Sequence, residues 1–475
     1  MDIQLNNSII MNPVKLVLTT FTLVFLFGCT LFKPDSRDPV PVDFPLTYSL
    51  YPETTSVFQG KWWEDFQSTE LNRLIGKAFE SNFDLRKSYA NLKQSRSLVK
   101  KQASYLFPEF SGNTGYSQTN AKGSDRMDTL SLGLAASYEI DFWGRIRSLK
   151  TSEILGMRAS ADDYLTMAMT VAAHVAEAWI DILATRQEIA YVKERINTNT
   201  ELMAMLEKRF EKGMATSMDV LNQKEALSHS LSLLPSLEAQ EQVLANNLSL
   251  LLGKPPGFRL EINRLSMPDL VPFPKAGLPS DLLAMRPDVR SAGLRLRAAD
   301  WQISAAKAAR LPSLSLSGSG TYSAEHVEDV FNHWIINLAA NLTGPVFDAG
   351  RRKADVEKAR AISEERLANY ESTVFQALLD VENAMVHELK QKDYTRALSQ
   401  ELDVSKLSYK EATRRYLAGQ DSYLLMQEKM LNIQNLEVTL IRQKAILFKY
   451  RIALYRSLGG NWALNPEDQT HTEPR

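Results

Sequence analysis

One structural unit occurs twice in this chain, end to end. The triplet Asp84-Leu85-Arg86 returns as Asp288-Val289-Arg290, an offset of 204. Leu92 and Pro108 map to Leu296 and Pro312 on that same offset. Further along the register settles at 206: Gly144-Arg145 returns as Gly350-Arg351, Arg209-Phe210-Glu211-Lys212-Gly213 as Arg415-Tyr416-Leu417-Ala418-Gly419, and Leu252-Gly253 as Leu458-Gly459. So steady a register implies one supersecondary unit, duplicated, and the fold has to be read from that unit.

Each copy opens on a helix. Leu71, Leu74, Ile75, Ala78 and Phe79 recur at three- and four-residue spacing, which predicts helix over 69–107, ended by Pro108. The second copy repeats it from Pro279 to Leu311, ended by Pro312. The period then falls to two. Leu130, Leu132, Leu134, Ala136, Tyr138, Ile140 and Phe142 alternate with Thr, Ser, Gly, Ala, Glu and Asp. Odd positions of 313–323 are all Ser or Thr, opposite Leu314, Leu316 and Tyr322, and Trp334, Ile336, Leu338, Ala340 and Leu342 continue the pattern. Residues 110–117 match more weakly, with Phe110 and Tyr116 on one face. Each copy is thus expected to hold one hairpin of two-faced strands, 110–142 and 314–346, with polar loops near 118–128 and 324–333. Long strands with one apolar and one polar face suit a transmembrane barrel. A soluble antiparallel sheet with one buried face gives the same alternation. In lipid, four strands cannot close a barrel, because an open edge strands backbone groups and closure takes about eight. Two chains would give a side-chain-filled lumen, so a channel reading prefers three.

Long helices follow. No proline lies between Pro108 and Pro235 or between Pro345 and Pro466. From Arg145 to Lys212 the helical pattern is interrupted only by Gly156, and a helix of ~65 residues extends about 100 Å. Val374, Leu378, Val381 and Met385 alternate by four and three, a coiled-coil seam. Gly213 and Gly419 break the two runs, and return helices are expected over 218–252 and 422–458. Each copy is then a helical hairpin with its tip at the glycine. Such a rod projects from a membrane pore or stands as a solvent-exposed structural coiled coil.

The N-terminal segment favours the membrane. Met11-Asn12-Pro13-Val14-Lys15 is a short positive stretch, Leu16–Phe27 is nearly all apolar, and Gly28-Cys29 follows. Twelve residues, apolar or Thr, are too few to span a bilayer, so this reads as a signal peptide, with translation starting at Met1 or Met11. The sequence before Cys29 resembles a bacterial lipobox, although Phe27 is bulky for its place; an ordinary signal with a chance cysteine is the alternative. Pro34, Pro39, Pro41, Pro45 and Pro52 make the next segment an extended tether. As the only cysteine, Cys29 leaves no disulfide framework and no Cys-based zinc site. The net charge of −1 shows no basic excess for nucleic acid. Six histidines without ligand spacing, and no HExxH, Walker loop or GxSxG, leave no enzyme constellation, cofactor or metal to expect.

Several motifs carry a family resemblance. Trp62-Trp63-Glu64-Asp65-Phe66, Glu70-Leu71-Asn72-Arg73-Leu74-Ile75 and Ala78 resemble the opening of the TolC/OprM/NodT outer-membrane efflux lipoproteins. Gly277-Leu278-Pro279-Ser280-Asp281-Leu282-Leu283, Arg286-Pro287-Asp288-Val289, Leu311-Pro312-Ser313, Phe347-Asp348-Ala349-Gly350-Arg351 and Tyr416-Leu417-Ala418-Gly419 are similar to that group as well. The match runs from about residue 40 to 462. It implies an α+β homotrimer: a twelve-stranded barrel in the outer membrane, four strands from each chain, above a periplasmic α-barrel tunnel with an equatorial belt. The belt would come from 62–80, 254–278 and the stretch near Trp462. Implied partners are a periplasmic adaptor protein, an inner-membrane proton-driven pump of the resistance-nodulation-division type, and outer-membrane lipid. Thr30 after Cys29, where Asp would retain a lipoprotein in the inner membrane, implies outer-membrane export.

The expected plan is a signal peptide over 1–28, a lipid-anchored tether over 29–61, a first repeat over 62–257, a linker over 258–277, a second repeat over 278–462 and a tail over 463–475. The resemblance places a closed iris at the two tips. Asp219 matches the acid after the first tip glycine, Gly213; Tyr416 matches the aromatic before the second, Gly419; Asp421 matches the acid of the OprM branch. The TolC secretion branch carries a basic residue there, so its salt link does not transfer. Three-fold symmetry would turn each acid into a ring, as in cation-selective pores, with Arg209, Arg414 or Arg415 near enough to offset the repulsion. The plainer alternative is turn chemistry, since Asp is common at helix starts. Met214, Met218, Met426 and Met430 fall near the tips, where packing or adaptor contact competes with a Cu(I) path. The implied function is a passive exit duct for small molecules: drugs, toxic compounds or metal ions. A duct for type I protein secretion and a non-conducting structural envelope lipoprotein are the alternatives.

Overall fold

The structure, a computed structural model, describes residues 60–120, 122–123, 126–270, 272–274 and 277–459, together with 32–34, 45 and 47–50. Cys29, the signal peptide, most of the tether, Trp462 and the tail lie outside the described residues. The chain divides into two compact units, each drawing on both repeats. One is centred on Leu92–Ser160 and Ser291–Glu371; the other is built from Val42–Asn91, from Ala161–Arg290 and from Ser372 onward.

The main helices are α1 (Thr69–Ser81), α2 (Phe83–Ser104), α3 (Arg145–Glu211), α4 (Ser217–Leu251), α5 (Pro287–Ala308), α6 (Arg351–Leu417) and α7 (Tyr423–Leu458). The strands are β1 (Glu109–Thr119), β2 (Met127–Ile140), β3 (Ser313–Ala324) and β4 (Trp334–Thr343). Gly156 does not interrupt α3, which is one helix of 67 residues, as is α6. Its apolar central stretch is a core segment: Val171, Ala172, Val175, Ala176, Trp179, Ile180 and Leu183 are all buried.

In the first unit the strands form one antiparallel sheet in the order β1-β2-β3-β4. Its register explains the two-faced pattern. Tyr116 pairs with Leu130 and Gly112 with Leu134. Leu132 pairs with Tyr322 and Ile140 with Leu314. Tyr322 pairs with Trp334 and Leu314 with Leu342. Cross-strand partners share a face, so the even positions of all four strands make one apolar surface. Ser, Thr and Asn fill most of the other. The first hairpin ends at Ile140 and the second at Thr343, short of the expected 142 and 346. The reason is local: Asp141 accepts from the amides of Ile146 and Arg147 at 2.9 and 2.8 Å, capping α3, and Trp143 Nε1 donates to Pro312 O at 2.7 Å.

The second unit holds the main core. Trp62, Trp63 and Phe66 lie on a short 3-10 turn, Trp62–Phe66, and bury against Leu71, Leu74, Ile75 and Ala78 of α1, the apolar stretch of α3, and Phe448, Ile452 and Tyr455 of α7. Trp62 stacks on Tyr455 at 5.6 Å. Trp179 Nε1 donates to Glu70 at 2.7 Å, and the other Glu70 oxygen accepts from the Asn263 amide at 2.7 Å. Ile262, Leu260, Met267 and Leu270 of the mid-chain link join this cluster.

The opening helix of each repeat is broken, contrary to the continuous helices expected over 69–107 and 279–311. Asn82 separates α1 from α2 because its side chain takes over the helix-end groups. Its Nδ2 donates to Leu251 O at the end of α4, at 2.8 Å. Its Oδ1 accepts from the amides of Asp84 and Leu85 at the start of α2, at 2.9 and 3.1 Å. In the second repeat Arg286, at the equivalent position, separates a short turn, Leu282–Met285, from α5. Arg286 donates to Ser457 O at the end of α7 at 3.2 Å and pairs with Asp288 at 2.7 Å and Asp380 at 3.1 Å. Each joint therefore sets a helix end against a helix start. The approach is close enough to need glycine: a Cβ on Gly253 would lie 2.2 Å from Ser81 O, and one on Gly459 2.8 Å from Met285 O.

Candidate functional site

The tips of the helical hairpins α3/α4 and α6/α7 share one backbone. Gly213 and Gly419 both have φ of 72°, which only glycine adopts without cost. Gly213 N–H donates to Phe210 O at 2.9 Å and Met214 N–H to Arg209 O at 2.8 Å. Gly419 N–H donates to Tyr416 O at 3.0 Å and Gln420 N–H to Arg415 O at 2.9 Å. Both helices thus end in the same Schellman closure.

The next helix starts differently at each tip. Thr216 and Asp219 form a capping box: Asp219 N–H donates to Thr216 Oγ1 at 3.2 Å, and Thr216 N–H donates to Asp219 Oδ2 at 2.8 Å. Asp219 therefore holds the start of α4. Asp421 is paired instead with Arg415, Nε to Oδ2 at 2.5 Å and Nη2 to Oδ1 at 3.2 Å. Arg414 is held by Glu411 at 2.6 Å. Tyr416 is buried among Leu206, Ala412, Tyr423 and Met426. Its ring meets Tyr423 edge-on at 5.7 Å, with the Arg209 guanidinium 4.9 Å from its centroid. Burial raises both phenols above their ordinary value, and the Tyr423 hydroxyl donates to Gln223. All three expected gate residues lie at the tips, and each has a partner within its own chain.

The four methionines occupy two environments. Met426 and Met430 are buried packing residues, whereas Met214 and Met218 are 57% and 62% exposed. Behind the tips runs a polar network that sequence reasoning missed: Asn199, Gln223 and Ser230 are wholly buried, and Tyr423 and Gln427 nearly so. Residues such as these on a long polar helix look like surface, and nothing local pairs Gln223 with Tyr423, 200 positions away. The capping box was legible as Thr216-x-x-Asp219.

The sequence profile of the outer membrane efflux protein family matches residues 74–254 and 278–460, one match per repeat. The pyoverdine export outer membrane protein OpmQ of Pseudomonas aeruginosa is 28% identical over 461 residues, covering 93% of this chain and 97% of that protein. Its counterpart in Pseudomonas putida is 30% identical over 415 residues, covering 85% of this chain and 88% of that protein. The solvent efflux pump outer membrane protein SrpC of Pseudomonas putida is 28% identical, covering 94% and 98%. Among solved structures, the outer-membrane channel OprN superposes with a TM-score of 0.82 at 25% identity, over 90% of this chain and 99% of that one. The open-state MtrE outer membrane channel of Neisseria gonorrhoeae shares the fold, with a TM-score of 0.81 at 24% identity over 91% and 98%. On this agreement of profile, relatives and fold, the chain belongs to the outer membrane efflux protein family and is an outer-membrane efflux channel.

Proposed function

We propose that three copies of this chain assemble into a gated exit duct for small molecules, served by a periplasmic adaptor and an inner-membrane pump of the resistance-nodulation-division type. The observation that carries this reading is the sheet. It has one apolar face, and among the described residues its outer strands β1 and β4 each leave an edge unpaired. In lipid those edges need partners, and further copies of the same sheet supply them. The helices support the same closure. At mid-length, ion pairs link α4 to α3 (Glu241–Arg186), α3 to α7 (Glu188–Arg442) and α7 to α6 (Glu437–Lys406). That leaves α4 and α6 as the flanks. Leu231 and Val243 on one, and Phe375, Leu379, Val404 and Leu407 on the other, are each at least half exposed. A flank of one copy against the opposite flank of the next is a head-to-tail contact that closes into a ring.

In this duct Cys29 carries the lipid anchor. Asp219, Asp421 and Tyr416 form the resting constriction, with Gly213 and Gly419 as the turning points, and Arg415 offsets part of the repulsion among three Asp421 carboxylates. The relatives named for pyoverdine and solvent export support a small-molecule cargo; selection among cargoes falls to the pump. Single-channel recording in planar bilayers tests the reading. The protein conducts with cation preference. Replacing both Asp219 and Asp421 with Ala lowers that preference and weakens block by multivalent cations, and Tyr416→Ala raises resting conductance. If both variants match the parent, the constriction lies elsewhere and these residues serve only their turns. Separately, Cys29→Ala abolishes palmitate incorporation; labelling that persists contradicts the anchor.

A further inference from the structure

We propose that a buried relay of hydrogen bonds, Tyr423 to Gln223 to Asn199 to Ser230, is the latch that holds the two helical hairpins together in the resting tunnel. The inference rests on the gate reading above, in which the hairpins part at their tips.

The relay runs through the side chains of Tyr423 and Gln223 to the main-chain carbonyl of Asn199, and on from the Asn199 side chain to Ser230. Tyr423 Oη donates to Gln223 Oε1 at 2.5 Å. Gln223 Nε2 donates to the main-chain carbonyl of Asn199 at 2.8 Å and to its Oδ1 at 3.4 Å. Asn199 Nδ2 donates to Ser230 Oγ at 2.9 Å, and Ser230 Oγ donates to Ala226 O at 2.8 Å. Asn199, Gln223 and Ser230 all belong to the first hairpin, α3/α4, and are 0% exposed. Tyr423 is the first residue of α7 in the second hairpin and is 1% exposed. One turn further along α7, Gln427 Nε2 donates to Asn222 O at 3.1 Å, a second bond from hairpin to hairpin.

A latch needs to be satisfied when closed and to release groups that water can take when open. The relay has both properties. Within the closed pair no water reaches Gln223, so its amide depends on Tyr423 for its acceptor and on Asn199 for its donor. Once the hairpins separate, both the phenol and the amide reach solvent and lose little. The arrangement is therefore sensitive to the removal of one partner, which leaves the other buried and unpaired only in the closed state. It is tolerant of the removal of both. The apolar cluster around Tyr423, comprising Leu206, Ala412, Tyr416 and Met426, makes the penalty in the closed state a desolvated one.

The test is a double-substitution cycle in planar bilayers, with thermal melting of the assembled protein measured alongside. Tyr423→Phe strands the Gln223 oxygen, and Gln223→Leu strands the Tyr423 hydroxyl. Each raises resting conductance roughly tenfold. The combined Tyr423→Phe/Gln223→Leu protein removes both polar groups and returns toward the parent, below either single variant. A role confined to folding would lower the melting temperature and leave resting conductance unchanged. Single variants as tight as the parent, or a double variant as leaky as the two effects added, overturn the latch. Tyr416→Ala in the same recordings separates this result from the gate reading. If it leaks while Tyr423→Phe does not, the gate stands and the latch falls. If Tyr423→Phe leaks and Tyr416→Ala does not, the latch stands and the iris lies elsewhere.

Discussion

The two joints, one in each repeat, solve one problem with different chemistry. At both, the end of a return helix meets the start of a shorter helix, and glycine permits the approach. Asn82 does the work in the first repeat with a neutral amide that serves carbonyl and amides at once. Arg286 does it in the second with a guanidinium, one helix-end carbonyl and two carboxylates. The tips differ in the same way: identical backbone closure, then a capping box at one and an ion pair at the other. Backbone geometry admits few solutions, and both copies keep it. Orphaned helix-end groups can be satisfied by many side chains, so there the copies have parted.

The largest expected effect separates the two joints. Arg286 is 10% exposed and faces two carboxylates that are 31% and 37% exposed, so Arg286→Ala leaves partly hydrated charge unpaired and costs about 2–3 kcal/mol. Asn82→Ala orphans neutral groups and costs about 1–2 kcal/mol. Thermal or denaturant unfolding of the detergent-solubilised protein measures both. Equal losses would mean that the joints are energetically alike despite their chemistry.

Acid sharpens the contrast. Burial works to raise the Asp288 carboxyl, but the Arg286 hydrogen bonds and charge outweigh it and hold it below the ordinary carboxylate value. A depressed folded value means the contribution is fully present above the unfolded value of ~3.9 and is lost as pH falls through the folded one. The stability gap between parent and Arg286→Ala therefore narrows as pH falls below the unfolded value of ~3.9. No titrating side chain takes part in the Asn82 bonds, so the Asn82→Ala gap stays level over the same range. Parallel pH profiles would break the comparison.

The smallest effects belong to the tips. Thr216→Ala removes the cap of α4 and costs about 1 kcal/mol. Arg415→Ala costs less in stability, because that guanidinium is 47% exposed and its pair is screened by salt. Melting of the two variants at low and high salt checks the order: only the Arg415→Ala difference shrinks with added salt.

The helix tips, the strands and the long runs were legible because their signals are local. Gly213 and Gly419 stand alone in long helical patterns, and the alternation in 129–140 and 313–323 admits one register. The helix breaks at Asn82 and Arg286 were not legible. The apolar spacing of Leu71 to Phe79 continues past the break in Leu85 and Leu92, and only a carbonyl brought in from Leu251 gives Asn82 its task. The gate acids could be placed at the tips, but their partners differ in kind. Thr216 lies three residues from Asp219 and follows from a known motif. The Arg415–Asp421 pair spans the turn and depends on its shape. Gln223 and Tyr423 meet only through the packing of the two hairpins.

A sheet that is one share of a closed barrel fixes the number of chains in the particle, which native mass measurement in detergent reads out. The 475-residue sequence weighs 53.6 kDa, and processing at Cys29 leaves a chain of ~50 kDa. The account predicts a particle of three such chains, whether or not Cys29 is present, because the barrel itself holds the assembly in lipid. A stable monomer or dimer would contradict it, since neither closes a conducting barrel from four strands per chain.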